Sequence, residues 1–461
     1  MPVMRPLTLL AVAATAVSLS HPAEAAPPSI AHHTCTNGLE VLVVESHANP
    51  TFTVEIAVKN GAMTEPLELN GLSHLYEHMF FKANAAIPNQ EAYLARGREL
   101  GLSWNGTTNT ERVNYFFSTT SDHFADAMTF MRDAITSPLF DAKELERERV
   151  VVTGEIDRNE ASPQYYLWHE VEKRLWFKYP SRKDALGNRA TVLKATQATM
   201  RLIQQRYYVP NNSVLVVTGD VSTKAVFDLA DQLYSGWKKT VDPFIANPLV
   251  KHPPLPKSDI VVVEQPVQSY AGSIDWHGPS TVGSEIPATY AADLLCFATA
   301  ESSSKFQKHL VESGACVSAQ LNYVTQVNGG QISIAFEASP ERIDPCVKAV
   351  VAELQLMRAP DYLSDEELVN AGRSAEYQFI RDREKPSALS STMTFWWTSA
   401  GLDYYLGYVD NMKKVDRTAI GRYLDTYVIG KPFVFGSMVS LAMKKQGFDK
   451  AHFAKLAGAQ L

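Results

Sequence analysis

The sequence is short of positive charge, of cysteine and of long apolar runs, and each shortage closes a class of function. Forty-three Lys and Arg face 50 Asp and Glu, a net charge of −7. A chain built to hold a phosphate backbone carries the opposite excess, so nucleic acid is excluded as the main partner. No apolar stretch reaches the roughly 18 residues that a membrane-spanning helix requires, so no membrane span is expected. Four cysteines (Cys35, Cys296, Cys316 and Cys346) are too few for a disulfide scaffold, and none lies in a C-x-x-C pair. Buried free thiols account for them adequately. Bridges are chemically open to an exported chain, and the sequence does not choose among the pairings. Low-complexity sequence is also absent, and a chain that is 45% hydrophobic and 20% charged folds rather than staying disordered.

The first 26 residues stand apart. Arg5 precedes the apolar run from Leu7 to Leu19, and Pro22-Ala23-Glu24-Ala25-Ala26 follows. A basic start, a short apolar core and small residues in an A-x-A arrangement read as a secretory signal over residues 1–26. No cysteine sits at the expected cleavage point to carry a lipid. The mature protein is therefore expected to be soluble and exported, periplasmic or secreted.

At about 150 residues per domain, 461 residues make two or three domains. The segment 246–257 (ANPLVKHPPLPK) holds four prolines, which lack a backbone donor and favour an extended linker. It separates residues 27–245 from residues 258–461, two halves of similar size. Their opening patterns also agree. Strand-like Gly38–Glu45 and Ile260–Glu264 are followed by strand-like Thr53–Lys59 and Tyr270–Trp276, then by helix-like Gly71–Lys82 and Ser284–Ala300. This layout predicts an α+β fold with α/β layers, two duplicated domains each with a mixed sheet packed by helices. A long helix starts at Asp141, where Glu144 three residues on completes a capping-box pattern, and runs through Glu155. Val214–Asp220 reads as a buried strand ending in a turn, and Val327-Asn328-Gly329-Gly330 as a hairpin turn. Phe395-Trp396-Trp397 and Tyr404-Tyr405 read as core or chamber wall. His32-His33 could touch a metal but read as a mobile tail.

The chemistry concentrates in His74-Leu75-Tyr76-Glu77-His78. Positions i and i+4 share a helix face, so both imidazoles can reach one point, and neutral imidazole ligates zinc well. Glu77 lies on the same side, within reach of a water activated by the metal. The order H-x-x-E-H is the inverted zincin motif. The nearest forward motif, His169-Glu170-Val171-Glu172-Lys173, fails at its last position. Two histidines leave zinc short of a third protein ligand. Glu155, with 76 residues between it and His78, is the candidate, and Glu148 lies seven residues earlier on the same helix face. Taken alone, Glu155 is equally a solvated helix acid.

On these residues the chain resembles the pitrilysin/insulinase family, peptidase family M16, nearer the short form of the mitochondrial processing peptidase subunits. The resemblance rests on H-x-x-E-H, on Glu148-Arg149-Val150-Val151-Val152-Thr153-Gly154-Glu155-Ile156, and on His78-Met79-Phe80-Phe81. Tyr208-Val209-Pro210-Asn211-Asn212 followed by Gly219-Asp220 extends it, so it covers residues 36–240 strongly and the second half in layout only. It implies one zinc per chain held by His74, His78 and Glu155, with Glu77 as general base and Glu148 behind the ligands. It also implies a peptide bound as an added strand along Asn105-Gly106-Thr107-Thr108, with Phe81 in a specificity pocket. For Thr107 and Thr108, simple β propensity explains the residues as well.

One departure matters. Family members place an Arg and a Tyr in a zinc-free half or partner, in a motif resembling L-R-E-x-x-G-L-x-Y, to stabilise the oxyanion. The nearest match here is Leu310-Val311-Glu312-Ser313-Gly314-Ala315-Cys316-Val317, with valine at the arginine position, and no Arg occurs between Arg206 and Arg342. The resemblance therefore implies a zinc-bearing endopeptidase subunit of a heterodimer whose homologous partner brings the Arg/Tyr pair. The alternatives are a non-catalytic structural subunit of the same fold and a zinc-storage protein; neither needs Glu77.

Overall fold

A computed structural model describes residues 29–458. The expected signal, 1–26, lies outside the described residues. Two sheets organise the chain. The first contains β1 (Ala31–Thr34), β2 (Glu40–Glu45), β3 (Thr51–Val58), β4 (Ser103–Thr108), β5 (Val113–Thr120) and β6 (Ser213–Gly219), in the order β1-β2-β6-β3-β5-β4. The second contains β7 (Asp259–Glu264), β8 (Tyr270–Gly278), β9 (Ser318–Val324), β10 (Gly330–Ala338) and β11 (Val434–Val439), in the order β7-β11-β8-β10-β9. Without β1 the two orders are the same, and so are the strand senses. β2 runs parallel to β6 as β7 does to β11, and the other pairs are antiparallel. The fold is thus mixed α/β with two similar-sized, duplicated domains.

The two halves exchange helices. Pro386–Ser399, from the second half, lies on the first sheet, where Leu389, Met393 and Trp397 pack with Leu42, Val44, Ala57, Val214 and Val216. In return Pro163–Leu175, from the first half, lies on the second sheet, where Leu167, Val171 and Leu175 pack with Val261, Ala271, Val434 and Met438. Each central strand is therefore covered on both faces, which is why β6 is an unbroken buried run and shows no alternation. The aromatic run expected as core or wall sits in this exchange: Trp397 is buried against the first sheet.

Polar contacts fix the register of the exchange. Glu55 of β3 is fully buried and accepts from Asn114 Nδ2 at 2.9 Å and from Thr394 Oγ1 at 2.6 Å. Arg112 donates to Ser391 O at 2.6 Å and to Thr394 Oγ1 at 2.7 Å. Elsewhere Glu111 accepts from the backbone N–H groups of Val327 and Asn328, both at 2.8 Å, gripping the expected β9–β10 turn. Residues 247–258 carry no helix or strand, as four prolines require, but they are not free: His252 accepts from Lys178 N at 3.0 Å.

Several expectations need correction. His32 and His33 are not a mobile tail; they lie in β1, paired with Leu42 and Val41 of β2. The reading of all four cysteines as free thiols fails for two of them, because Cys316 and Cys346 form a disulfide and only Cys35 and Cys296 are free. At Asp141 the cap is one-sided. Its carboxylate accepts from Lys143 N and Glu144 N, while Glu144 turns to Arg147 at 2.7 Å. The helix then continues to Glu160. Among the described residues, no helix is long and apolar enough to cross a membrane.

Burial pushes the Glu55 carboxyl up to about 7, although Arg112, Thr394 and Asn114 pull the other way. Between its ordinary value of 4.5 and that raised value, the folded protein keeps a proton the unfolded chain has released, so stability must fall as pH rises through this window. Denaturant unfolding of the wild type should therefore lose on the order of 1–3 kcal/mol from this group between about pH 5 and pH 8. Glu55→Gln should flatten the curve by that amount; an unchanged slope would show that Glu55 titrates normally.

Candidate metal centre

The motif helix, Leu72–Phe80, starts where a carboxylate meets it. Glu65 is buried and accepts from Gly71 N and Ser73 N, each at 2.6 Å, taking up helix-start donors. Gly71 has φ +88°, and an added Cβ would stand 2.9 Å from Gly187 Cα, so the residue has to be glycine to let that backbone approach. Leu75, Tyr76, Met79 and Phe80 bury the inner face of the helix, leaving His74 and His78 turned toward the long helix Ala142–Glu160.

That second helix completes the geometry. Glu155 Oε2 lies 3.3 Å from His74 Nε2 and 3.6 Å from His78 Nε2. The three ligand-type atoms all fall within 4.8 Å of one another. The other oxygen of Glu155 is held by Arg158 at 3.1 Å. Seven residues back, Glu148 accepts from His78 Nδ1 at 3.0 Å and from Lys82 Nζ at 2.6 Å. A hydrogen bond on Nδ1 leaves Nε2 as the coordinating nitrogen, which is how a ligand imidazole is commonly oriented. Two convergent Nε2 atoms and one carboxylate oxygen match the donor set of a catalytic zinc site with an open fourth position.

The electrostatics agree with a site made for a cation. The His74 contact, above all, holds the Glu155 carboxyl below its usual value against partial burial. Burial alone would raise Glu148, but hydrogen bonds from His78 and Lys82 outweigh it and hold it low. Glu77 goes the other way: burial raises it, with His74 and Thr108 only partly opposing. The centre thus keeps two carboxyls ionised beside the imidazoles and one poised to take a proton.

The strand-binding candidates fall on β4, at the sheet edge beside these helices. Phe81, Asn105, Gly106, Thr107 and Thr108 line, with the histidines and glutamates, one open cavity of about 500 Å³. Every residue lining it comes from the first half of the chain. Two of them do something the sequence reading did not assign. Thr108 Oγ1 donates to Glu77 Oε2 at 2.8 Å, and an added Cβ on Gly106 would stand 2.9 Å from Glu77 Cγ and Oε1. The signal was available, since a glycine inside a strand marks a close approach. Lys82 was also missed, and only its contact with Glu148 reveals it. Val311 is half-buried against the core of the second half and is not among the residues lining the cavity.

Residues 40–187 match the family described as insulinase (peptidase family M16), and residues 194–374 match the peptidase M16 inactive domain. An uncharacterized zinc protease, YmxG of Bacillus subtilis, is 26% identical over 200 residues, 43% of this chain and 49% of that protein. The chain thus spans about half the length of that relative. Among solved structures, a protease from Helicobacter pylori superposes with TM-score 0.81 at 20% identity, covering 90% of this chain and all of the other. The periplasmic protease PqqL from Escherichia coli superposes with TM-score 0.74 at 16% identity, covering 94% of this chain and 50% of that one.

Because Glu148 orients His78, Glu148→Gln should weaken zinc binding by about 10- to 100-fold without unfolding the chain. Competition titration against a chromophoric chelator measures this, and wild-type affinity in the variant would remove Glu148 from the site.

Proposed function

The chain belongs to the M16 peptidase family, and from that premise we propose that it is the zinc-bearing subunit of a metalloendopeptidase acting on peptides or unfolded segments. The observation that carries the reading is the convergence of His74, His78 and Glu155 beside a separately held, buried Glu77. A scaffold or a storage protein would use the three ligand groups and has no work for the fourth.

One zinc, when bound, supplies the Lewis acid that lowers the pKa of an attached water to about 7 and polarises the scissile carbonyl. The protein's own residues do the rest. Thr108 pins Glu77 Oε2 and leaves Oε1 to accept the proton of the attacking water. Burial raises the proton affinity of Glu77, the direction that a general base needs. As the water oxygen bonds to the carbonyl carbon, Glu77 holds that proton; it then delivers it to the amide nitrogen as the C–N bond breaks. Substrate pairs with the free edge of β4 along Asn105–Thr108 through backbone hydrogen bonds, with Phe81 walling one side chain.

Charge developing on the carbonyl oxygen needs donors beyond the metal. The second half lines no part of the cavity and has valine at position 311. PqqL, where the alignment covers half of the chain, has a further half of its own. A homologous partner carrying the Arg/Tyr pair supplies the equivalent here, closing over the site in an exported, periplasmic setting.

Glu77→Gln should keep its zinc and its melting temperature and lose at least 100-fold in hydrolysis of a quenched peptide, since an amide cannot take the proton. Wild-type turnover by that variant would end the general-base assignment. Added Arg/Tyr partner should raise kcat of the wild-type chain by roughly 100-fold or more while changing KM little, because such donors act on transition-state charge. Full activity from the solitary chain would overturn the heterodimer; zinc binding with no hydrolysis under either condition would leave a structural subunit.

A further inference from the structure

Among the described residues, one other group of metal-ligating side chains comes together outside the site above. It lies where the two sheets differ, at the extra strand β1. His33 and Cys35 are two residues apart and on the same side of the extended chain, facing the helix Thr223–Tyr234. Asp231 of that helix, 198 positions along from His33, meets both. His33 Nε2 stands 3.0 and 2.9 Å from its two carboxylate oxygens, and the Cys35 thiol lies close beside them. The imidazole nitrogen, the sulfur and a carboxylate oxygen all lie within 4.8 Å of one another. We infer that His33, Cys35 and Asp231 form a second metal site, selective for zinc or a similar borderline divalent ion, which clamps β1 to the helix behind it.

The donor set argues for the ion. One thiolate, one imidazole and one carboxylate are the ligands zinc takes in proteins, whereas calcium and magnesium require oxygen alone. Tetrahedral zinc would place such donors about 3.3–3.6 Å apart. Reaching that spacing requires Asp231, whose side chain is 47% exposed, to turn from its present contact with His33. Cys35 and His33 are held more firmly. Cys35 is buried in the core of the first half, and the His33 ring packs on Phe227 with centroids 5.1 Å apart. An ordinary surface ion pair between His33 and Asp231 would contribute little and would need no buried thiol beside the same carboxylate. Binding balances in protons: Cys35 gives its thiol proton to solvent, the proton that His33 Nε2 donates to Asp231 is lost from that nitrogen as the ring takes its Nδ1–H tautomer, and the sulfur, Nε2 and one Asp231 oxygen then donate to the metal. Three protein ligands leave the fourth position to water on the exposed side.

The fold gives the clamp a purpose. The second domain closes its sheet at β7 with no counterpart of β1, so β1 is an addition of four residues, paired only with β2. A short outermost strand is the element most prone to fray or to recruit another chain. A metal bridge to the helix would hold it in register without further apolar contacts.

The test uses the full chain, with Zn²⁺ and Co²⁺ as probes. Metal analysis should find two equivalents in the wild type, with one lost in His74→Ala and the other in Cys35→Ser. The cobalt form discriminates, because the first site offers no sulfur. A sulfur-to-cobalt charge-transfer band in the near ultraviolet should be present in the wild type, persist in His74→Ala, and vanish in Cys35→Ser. In the His74→Ala background zinc should raise the melting temperature, and Asp231→Ala, at an exposed position, should abolish that rise even if Cys35→Ser does not fold. A single equivalent in the wild type, or no sulfur band, would overturn the second site. Neither result would touch the reading of the first, which stands or falls on Glu77 and His74.

Discussion

The fit of the motif helix against the long helix is the constraint on which the molecule's chemistry depends. Only while Leu72–Phe80 and Ala142–Glu160 keep their register does Glu155 reach both Nε2 atoms and Glu148 reach the far side of the His78 ring. The seven-residue spacing of the two glutamates puts one carboxylate on each side of that imidazole. The contact is costly, since it gathers Glu77, Glu148 and Glu155 into a small, partly dry volume. Lys82 and Arg158 offset part of that charge, and a divalent cation suits the remainder.

The rest of the first domain holds this contact in place. Glu65 takes up the donors at the start of the motif helix, and Gly71 lets the Gly187 backbone close behind it. β4 supplies the other wall, and there the absence of a side chain at Gly106 is what allows the Glu77 carboxyl its position. The helix exchange serves the same end at longer range. With Pro386–Ser399 covering the back of the first sheet, the central strands are buried on both faces and the sheet edge at β4 is left to the cavity. A duplicated fold has thereby divided its labour. One domain carries the His74, His78 and Glu155 cluster, and the other packs a helix on the back of its sheet while exposing no residue to the cavity.

Much of this was legible in the sequence because it is local. The strands, the two helices and the H-x-x-E-H pairing follow from periods of two and 3.6 residues and from an i, i+4 spacing. The proline-rich segment was legible for the same reason, since four missing donors exclude a ladder wherever the chain goes. The errors fall where pairing is distant. His32 and His33 read as a tail because nothing nearby orders them; the strand that does is β2, and the helix that does lies about 200 residues on. The Cys316–Cys346 bridge was one of several pairings, and proximity alone selects it.

The sequence by itself determined the residue types of the candidate site, their helix face and the doubled layout, because each rests on residue chemistry at short, regular spacing. Tertiary structure decided which carboxylate meets the histidines, that Thr108 and Gly106 hold Glu77, and that each half lends a helix to the other. It also decided that His33, Cys35 and Asp231 share a point. These depend on distances between residues from 29 to more than 300 positions apart, and such distances are fixed only when the buried faces of both sheets are packed.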